Sequence, residues 1–201
     1  MFREMLKVTS IGEKKLKNQY FVQYTHNSII NDYAIPKDMF KAIDVGIRDI
    51  ETDFLLTLVQ NMFRFPVFFV LESVILEHIE KIISERNIPS YKFTSDSYII
   101  KIDSADTLEV ICDCTVDLVL NGLSVFIFLG QGISEVNLVP TRDWDKPIEF
   151  NNLDFEKVET FIAVEEVGLT IFSKNDKYNS PRKVTHYISE AYLLDMENSD
   201  I

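Results

Sequence analysis

The sequence predicts an α+β domain: an antiparallel sheet, a meander centred on a hairpin over residues 107–129, packed against several helices. Three observations predict it. Asn121-Gly122 sits between two β-rich runs in TLEVICDCTVDLVLNGLSVFIFL, and Asn-Gly suits a two-residue type I′ turn because both central residues need φ > 0. Short alternating strands flank that segment on either side. Helical and strand-like patterns also fall in separate blocks, which favours α+β over a doubly wound fold.

With the turn at Asn121-Gly122, Leu120 would pair with Leu123, Leu118 with Val125, Val116 with Ile127 and Cys114 with Leu129. All four pairs are apolar, and Cys112, Val110 and Leu108 would extend that face back along the strand with period two. The opposite face would set Asp117 beside Phe126 and Thr115 beside Phe128. A helix over this segment is disfavoured by its dense β-branched residues, and it is expected to mix Asp113 and Asp117 into the apolar stripe.

The remaining elements follow in order. Residues 4–10 and 19–25 read as strands around the lysine-rich turn 12–17, and 27–33 as a loop. Residues 36–61 read as mainly helical, with Phe40, Ile43, Ile47, Ile50, Phe54 and Leu58 at three- and four-residue steps. Pro66 breaks that pattern. Residues 67–85 give the clearest helix, its stripe running through Val67, Leu71, Val74, Ile75, His78, Ile79, Ile82 and Ile83 and its wet face carrying Glu72, Glu77, Glu80, Lys81 and Glu85. Residues 91–94 and 97–103 read as strands around Ser95-Asp96. After the hairpin, Gly130-Gln131-Gly132 turns the chain, and a strand through Val136 and Leu138 ends at Pro140. Residues 141–147 read as a polar loop, 152–166 as a helix, 167–172 as a strand and 173–180 as a mobile loop. Ser180-Pro181 is a helix start, with proline at the first helical position, and Val184, Ile188, Ala191 and Leu194 supply that helix's stripe.

The chain has 201 residues, 46% hydrophobic and 12% aromatic, enough for one sizeable core. The expected organisation is a single α+β domain over 1–194 and an acidic, disordered tail over 195–201, DMENSDI. The formal net charge is −12. Such a balance disfavours nucleic-acid phosphates and anionic membranes, which need Lys and Arg, and favours a basic protein partner. The opening residues have no apolar signal core, so no secretory signal is expected, and the most apolar window, 54–76, is interrupted by polar residues and Pro66. Cys112 and Cys114, two apart on an extended strand, are poorly placed for a disulfide and read as buried thiols of a reducing cytoplasm.

Motifs for chemistry are weak. His26, His78 and His186 make no zinc pattern, and Cys-x-Cys lacks a second ligand pair. Glu135 stands where a dinucleotide fingerprint wants its third glycine, and no phosphate-binding P-loop occurs. No catalytic residue, metal or cofactor is therefore assigned, and the reading leans away from an enzyme. Recognition residues are expected on the acid-and-aromatic hairpin face, Asp113, Asp117, Phe126 and Phe128, and in a loop where Trp144 lies between Asp143 and Asp145. The expectation is an acidic cytoplasmic protein-binding module, an inhibitor of a basic partner such as an immunity or antitoxin-type protein neutralising a toxin. One alternative is a small-molecule-binding protein or enzyme with a pocket between helix 67–85 and the sheet. Another is a homodimer or larger structural assembly built on the Phe126/Phe128 face.

Overall fold

A computed structural model describes residues 5–10, 19–20, 24–26, 29–31, 35–36, 39–47, 50–72, 76–94, 97–129, 139–141, 149–151, 155–166, 168–188 and 193–196. Along these residues run β1 (Met5–Ser10), β2 (Gln19–Tyr20), β3 (Tyr24–His26), β4 (Ile29–Asn31), β5 (Ile35–Pro36), β6 (Lys41–Gly46), α1 (Thr52–Met62), β7 (Val67–Glu72) and α2 (Leu76–Glu85). There follow β8 (Ser90–Thr94), β9 (Ser97–Ile102), α3 (Ala105–Leu120), β10 (Val125–Leu129), β11 (Val139–Thr141), β12 (Glu149–Asn151), β13 (Thr160–Glu165), β14 (Gly168–Ser173), α4 (Pro181–Val184) and β15 (Leu193–Met196). The expected α+β class holds.

One nine-stranded sheet, in the order β15-β1-β6-β14-β13-β10-β7-β9-β8, organises the fold. Every pairing in it is antiparallel except β1 with β15. The short strands pair off separately as β2·β5, β3·β4 and β11·β12.

The central strands are buried on both faces, and period two sorts their side chains into two cores. Val67, Phe69 and Leu71 of β7, Val125 and Ile127 of β10, Ile162 and Val164 of β13, and Leu169 and Ile171 of β14 face the helical side. There they meet Phe54, Leu55, Leu58 and Val59 of α1, Ile79 and Ile83 of α2, and Leu108, Ile111, Cys112 and Val119 of α3. The other face carries Phe68, Val70, Phe126, Phe128, Phe161, Ala163 and Phe172. Phe161 stacks between Phe128 and Phe172, with ring centroids at 5.1 and 4.6 Å. Pairings such as Val125 with Leu71 and Phe126 with Val70 keep like faces together across strands.

Two-faced burial explains several departures from expectation. Residues 67–72, VFFVLE, form a central strand, and among the described residues the helical part of the expected long helix is Leu76–Glu85. A fully buried strand is a continuous apolar run, and over six residues that run cannot be told from one side of a buried helix by period. Lys41–Gly46, expected as helix, is likewise a strand, whereas the second half of that segment is α1. Residues 160–165 are strand β13 where a helix was expected, with Phe161 and Ile162 on opposite faces. Ile29–Asn31 pairs with Tyr24–His26 in place of a loop. The strands expected at 91–94, 97–103 and 167–172 are present as β8, β9 and β14.

The loop after β14 is anchored. Asn175 starts a 3-10 turn over Asp176–Tyr178, and the buried Tyr178 hydroxyl donates to the Met62 carbonyl at 2.7 Å. Pro181 does open a helix, but α4 is one turn long, and residues 193–196 form β15 against β1. The first two residues of the expected tail, Asp195 and Met196, are thus in the sheet, while 197–201 lie outside the described residues.

Candidate functional site

The first arm of the expected hairpin is the helix α3. Ser104 caps it, its Oγ accepting from the Thr107 N–H. Leu108, Ile111, Cys112, Thr115 and Val119 turn inward at helical spacing, and the Thr115 hydroxyl donates back to the Ile111 carbonyl at 2.7 Å. Asn121-Gly122 ends the helix. Asn121 has φ −95°, so the turn is not type I′, while Gly122 has φ +78°. The Leu123 N–H donates to the Leu118 carbonyl and the Gly122 N–H to the Val119 carbonyl. Those two bonds define a Schellman cap with glycine in the left-handed position. The second arm, expected from Leu123, is present as the strand β10 from Val125, and it pairs with β7 and β13.

The change from strand to helix moves the acids. Asp106, Glu109, Asp113 and Asp117 are all exposed. At 100° per residue they fall within an arc of about 80° and extend over about 16 Å of helix. Four-residue neighbours, about 13 Å apart on a strand, come within about 6 Å on a helix. No lysine or arginine occurs in α3. At the middle of the ridge, Asp113 Oδ1 accepts from the Thr52 hydroxyl at 3.0 Å, where α1 begins. Glu51 and Asp53, on either side of Thr52, are also exposed.

Phe126 and Phe128 do not share this surface. Both are 0% exposed within the aromatic core on the far face of the sheet. The proposed pairing of Asp117 with Phe126 is therefore absent, and so is an exposed phenylalanine face for self-association. The cause is the strand's position in the sheet: β10 has neighbours on both edges and apolar cores on both faces. Asp143, Trp144 and Asp145 lie outside the described residues. The small-molecule pocket expected between a helix over 67–85 and the sheet loses its premise, since Val67–Glu72 is itself a sheet strand.

A cleft of about 210 Å³ does open between α2 and α3. Ile79, Leu118 and Leu123 supply apolar walls; His78, Asp117 and Asn121 supply polar ones, and Cys114 also lines it. His78, expected at the edge of a buried stripe, is exposed here. A histidine, a cysteine and an aspartate in one cleft invite a nucleophile reading, and the thiol excludes it. Cys114 is 4% exposed. Burial first, then the charges of Asp113 and Asp117, push its thiol up to about 11. Burial and the Asp113 charge likewise raise Cys112. A reactive cysteine needs an accessible thiolate at neutral pH, whereas these are free, buried thiols whose pKa burial raises. Among the described residues, no group of three His, Cys, Asp or Glu side chains is placed to hold a metal ion, and no helix is long and apolar enough to cross a membrane.

Sequence reasoning found Asp113 and Asp117 but missed Asp106, the join to α1 and the cleft. The signal was present: 106, 109, 113 and 117 are spaced three, four and four apart, a helical period. Compared with known proteins, the chain matches no protein-family model, no curated protein and no solved structure.

Proposed function

We propose that this chain is an acidic cytoplasmic protein-binding module that inhibits a basic partner, of the immunity or antitoxin kind, and that it binds through the acidic ridge of α3. The observation that carries this reading is the ridge itself: four exposed carboxylates on one helical face with no interleaved cation. Like charges four apart on a helix cost roughly 0.2–0.5 kcal/mol per pair. A cationic partner offsets that cost on docking, and the −12 net charge speeds its encounter. The buried, unpaired thiols suit a reducing compartment.

The test is capture on the tagged full chain from lysate of the source cells, with identification of what is retained. The expected result is a strongly basic protein held at about 0.1 M salt and released at about 1 M, where the screening length has shrunk to about 3 Å. The same protein should escape a chain carrying Asp113→Lys and Asp117→Lys. Retention that ignores both salt and charge reversal would count against the reading.

A further inference from the structure

The α2–α3 cleft adjoins the acidic ridge, because Asp117 belongs to both. Its volume of about 210 Å³ falls below the roughly 300–1,000 Å³ of ordinary small-molecule sites. That is room for one large side chain rather than a cofactor. The α3 side of the cleft is held by its helix cap. The helix cap holds Leu118 and Leu123 against each other through the Leu123 N–H to Leu118 carbonyl bond, at 3.2 Å. The Asn121 side-chain amide donates to the Asp117 carbonyl at 2.7 Å. Among the described residues, Asp117 is the carboxylate that lines the cleft, and no lysine or arginine lines it. Arg86, at the C-terminal end of α2, acts on the Cys114 thiol but is not a lining residue. Beside Asn121, Leu120 is 50% exposed, an uncommon position for a large aliphatic side chain.

We propose that this cleft receives a single large apolar side chain from a basic segment of the partner, with Asp117 pairing a lysine or arginine adjacent to that side chain. The inference rests on the basic-partner reading above and adds the anchor to it. An apolar anchor seated in a recess and shielded from water by its surroundings is the arrangement that concentrates binding energy at protein interfaces. The negative wall selects a cationic segment over an acidic or neutral one.

Two short synthetic peptides test it, both lysine-rich, one with a central phenylalanine and one with alanine in its place. Each is titrated into the full chain while backbone amide shifts are followed. The phenylalanine peptide should bind roughly tenfold tighter than the alanine peptide and should shift the amides of His78, Cys114, Leu118, Asn121 and Leu123. His78→Trp, which fills the cleft from an exposed position, should remove that tenfold advantage, with circular dichroism confirming the fold. Asp117→Asn should weaken both peptides and leave the fold intact. Equal binding of the two peptides, salt-sensitive and confined to the α3 acids, would overturn the cleft and leave the basic-partner reading standing. Absence of binding by either peptide at low salt would overturn both. Shifts at the same amides on concentrating the chain alone would assign the cleft to a second copy and also overturn the proposal.

Discussion

Glu165 ends β13 opposite Gly168, and its carboxyl is 5% exposed. Burial pushes its pKa from 4.5 up to about 8. The sign of the consequence is fixed by which state binds the proton. Below about pH 4.5 the folded and unfolded chains both hold it. Between that value and about 8 the unfolded chain releases it first, so the native state binds more protons and stability falls as pH rises. Above about 8 both states are ionised and the loss is complete. Glu165→Gln should therefore flatten part of the stability profile: relative to the variant, the wild-type chain should lose a few kcal/mol between about pH 4.5 and 8.5. Urea denaturation of both proteins across that range checks it, and parallel profiles would contradict it. Gly168 next to it has a tighter constraint. A Cβ there would sit 2.3 Å from the Val45 carbonyl oxygen, a backbone atom of the adjoining strand, with φ at +147°. Gly168→Ala should separate β14 from β6 and destabilise the fold by more than the roughly 1 kcal/mol expected from conformation alone, seen as a lowered thermal midpoint.

At the scale of elements, the α+β class, β1, α1, β8, β9, β10 and β14 were legible in the sequence, because their patterns are bounded by clear turn residues. The centre was misread for a physical reason. Asn-Gly offers left-handed geometry, which both a type I′ hairpin and a Schellman cap use. Acids at 109, 113 and 117 share a face under either period, since four is even and also close to 3.6. Asp106 breaks the tie: it is three residues before Glu109, which puts it on the same face only in a helix. Ser104 with Thr107 adds a capping signal. Residues 67–72 were misread because a two-faced core removes the alternation that marks a strand, and Phe126 and Phe128 were assigned to a surface for the same reason. Of the candidate site, Asp113 and Asp117 were legible as a charged pair; the cleft was not, since it depends on where α2 lands beside α3. The cap makes a specific prediction. Among the described residues, Gly122→Ala meets no atom within 4 Å, so the expected cost is conformational, about 1 kcal/mol. Amide exchange over residues 118–123 should speed up while the sheet stays protected. No change in that exchange would contradict the cap.

For the whole molecule, the sheet gives rigidity and the helical layer gives chemistry. Aromatic side chains fill the far face of the sheet and leave it closed. On the helical side, α1, α2 and α3 bury their apolar stripes against the sheet and turn Glu51, Asp53, Glu77, Asp106, Glu109, Asp113 and Asp117 outward. Four of the chain's 32 acidic residues thus line up along the exposed face of α3. A ridge of this kind predicts a partner whose affinity is governed by charge at α3. Isothermal titration of the captured basic protein into the wild-type chain and the Asp113→Lys/Asp117→Lys chain tests that most directly. The expected result is binding at least about 30-fold weaker for the reversed chain, with its thermal midpoint retained; equal affinities for the two chains would contradict the account.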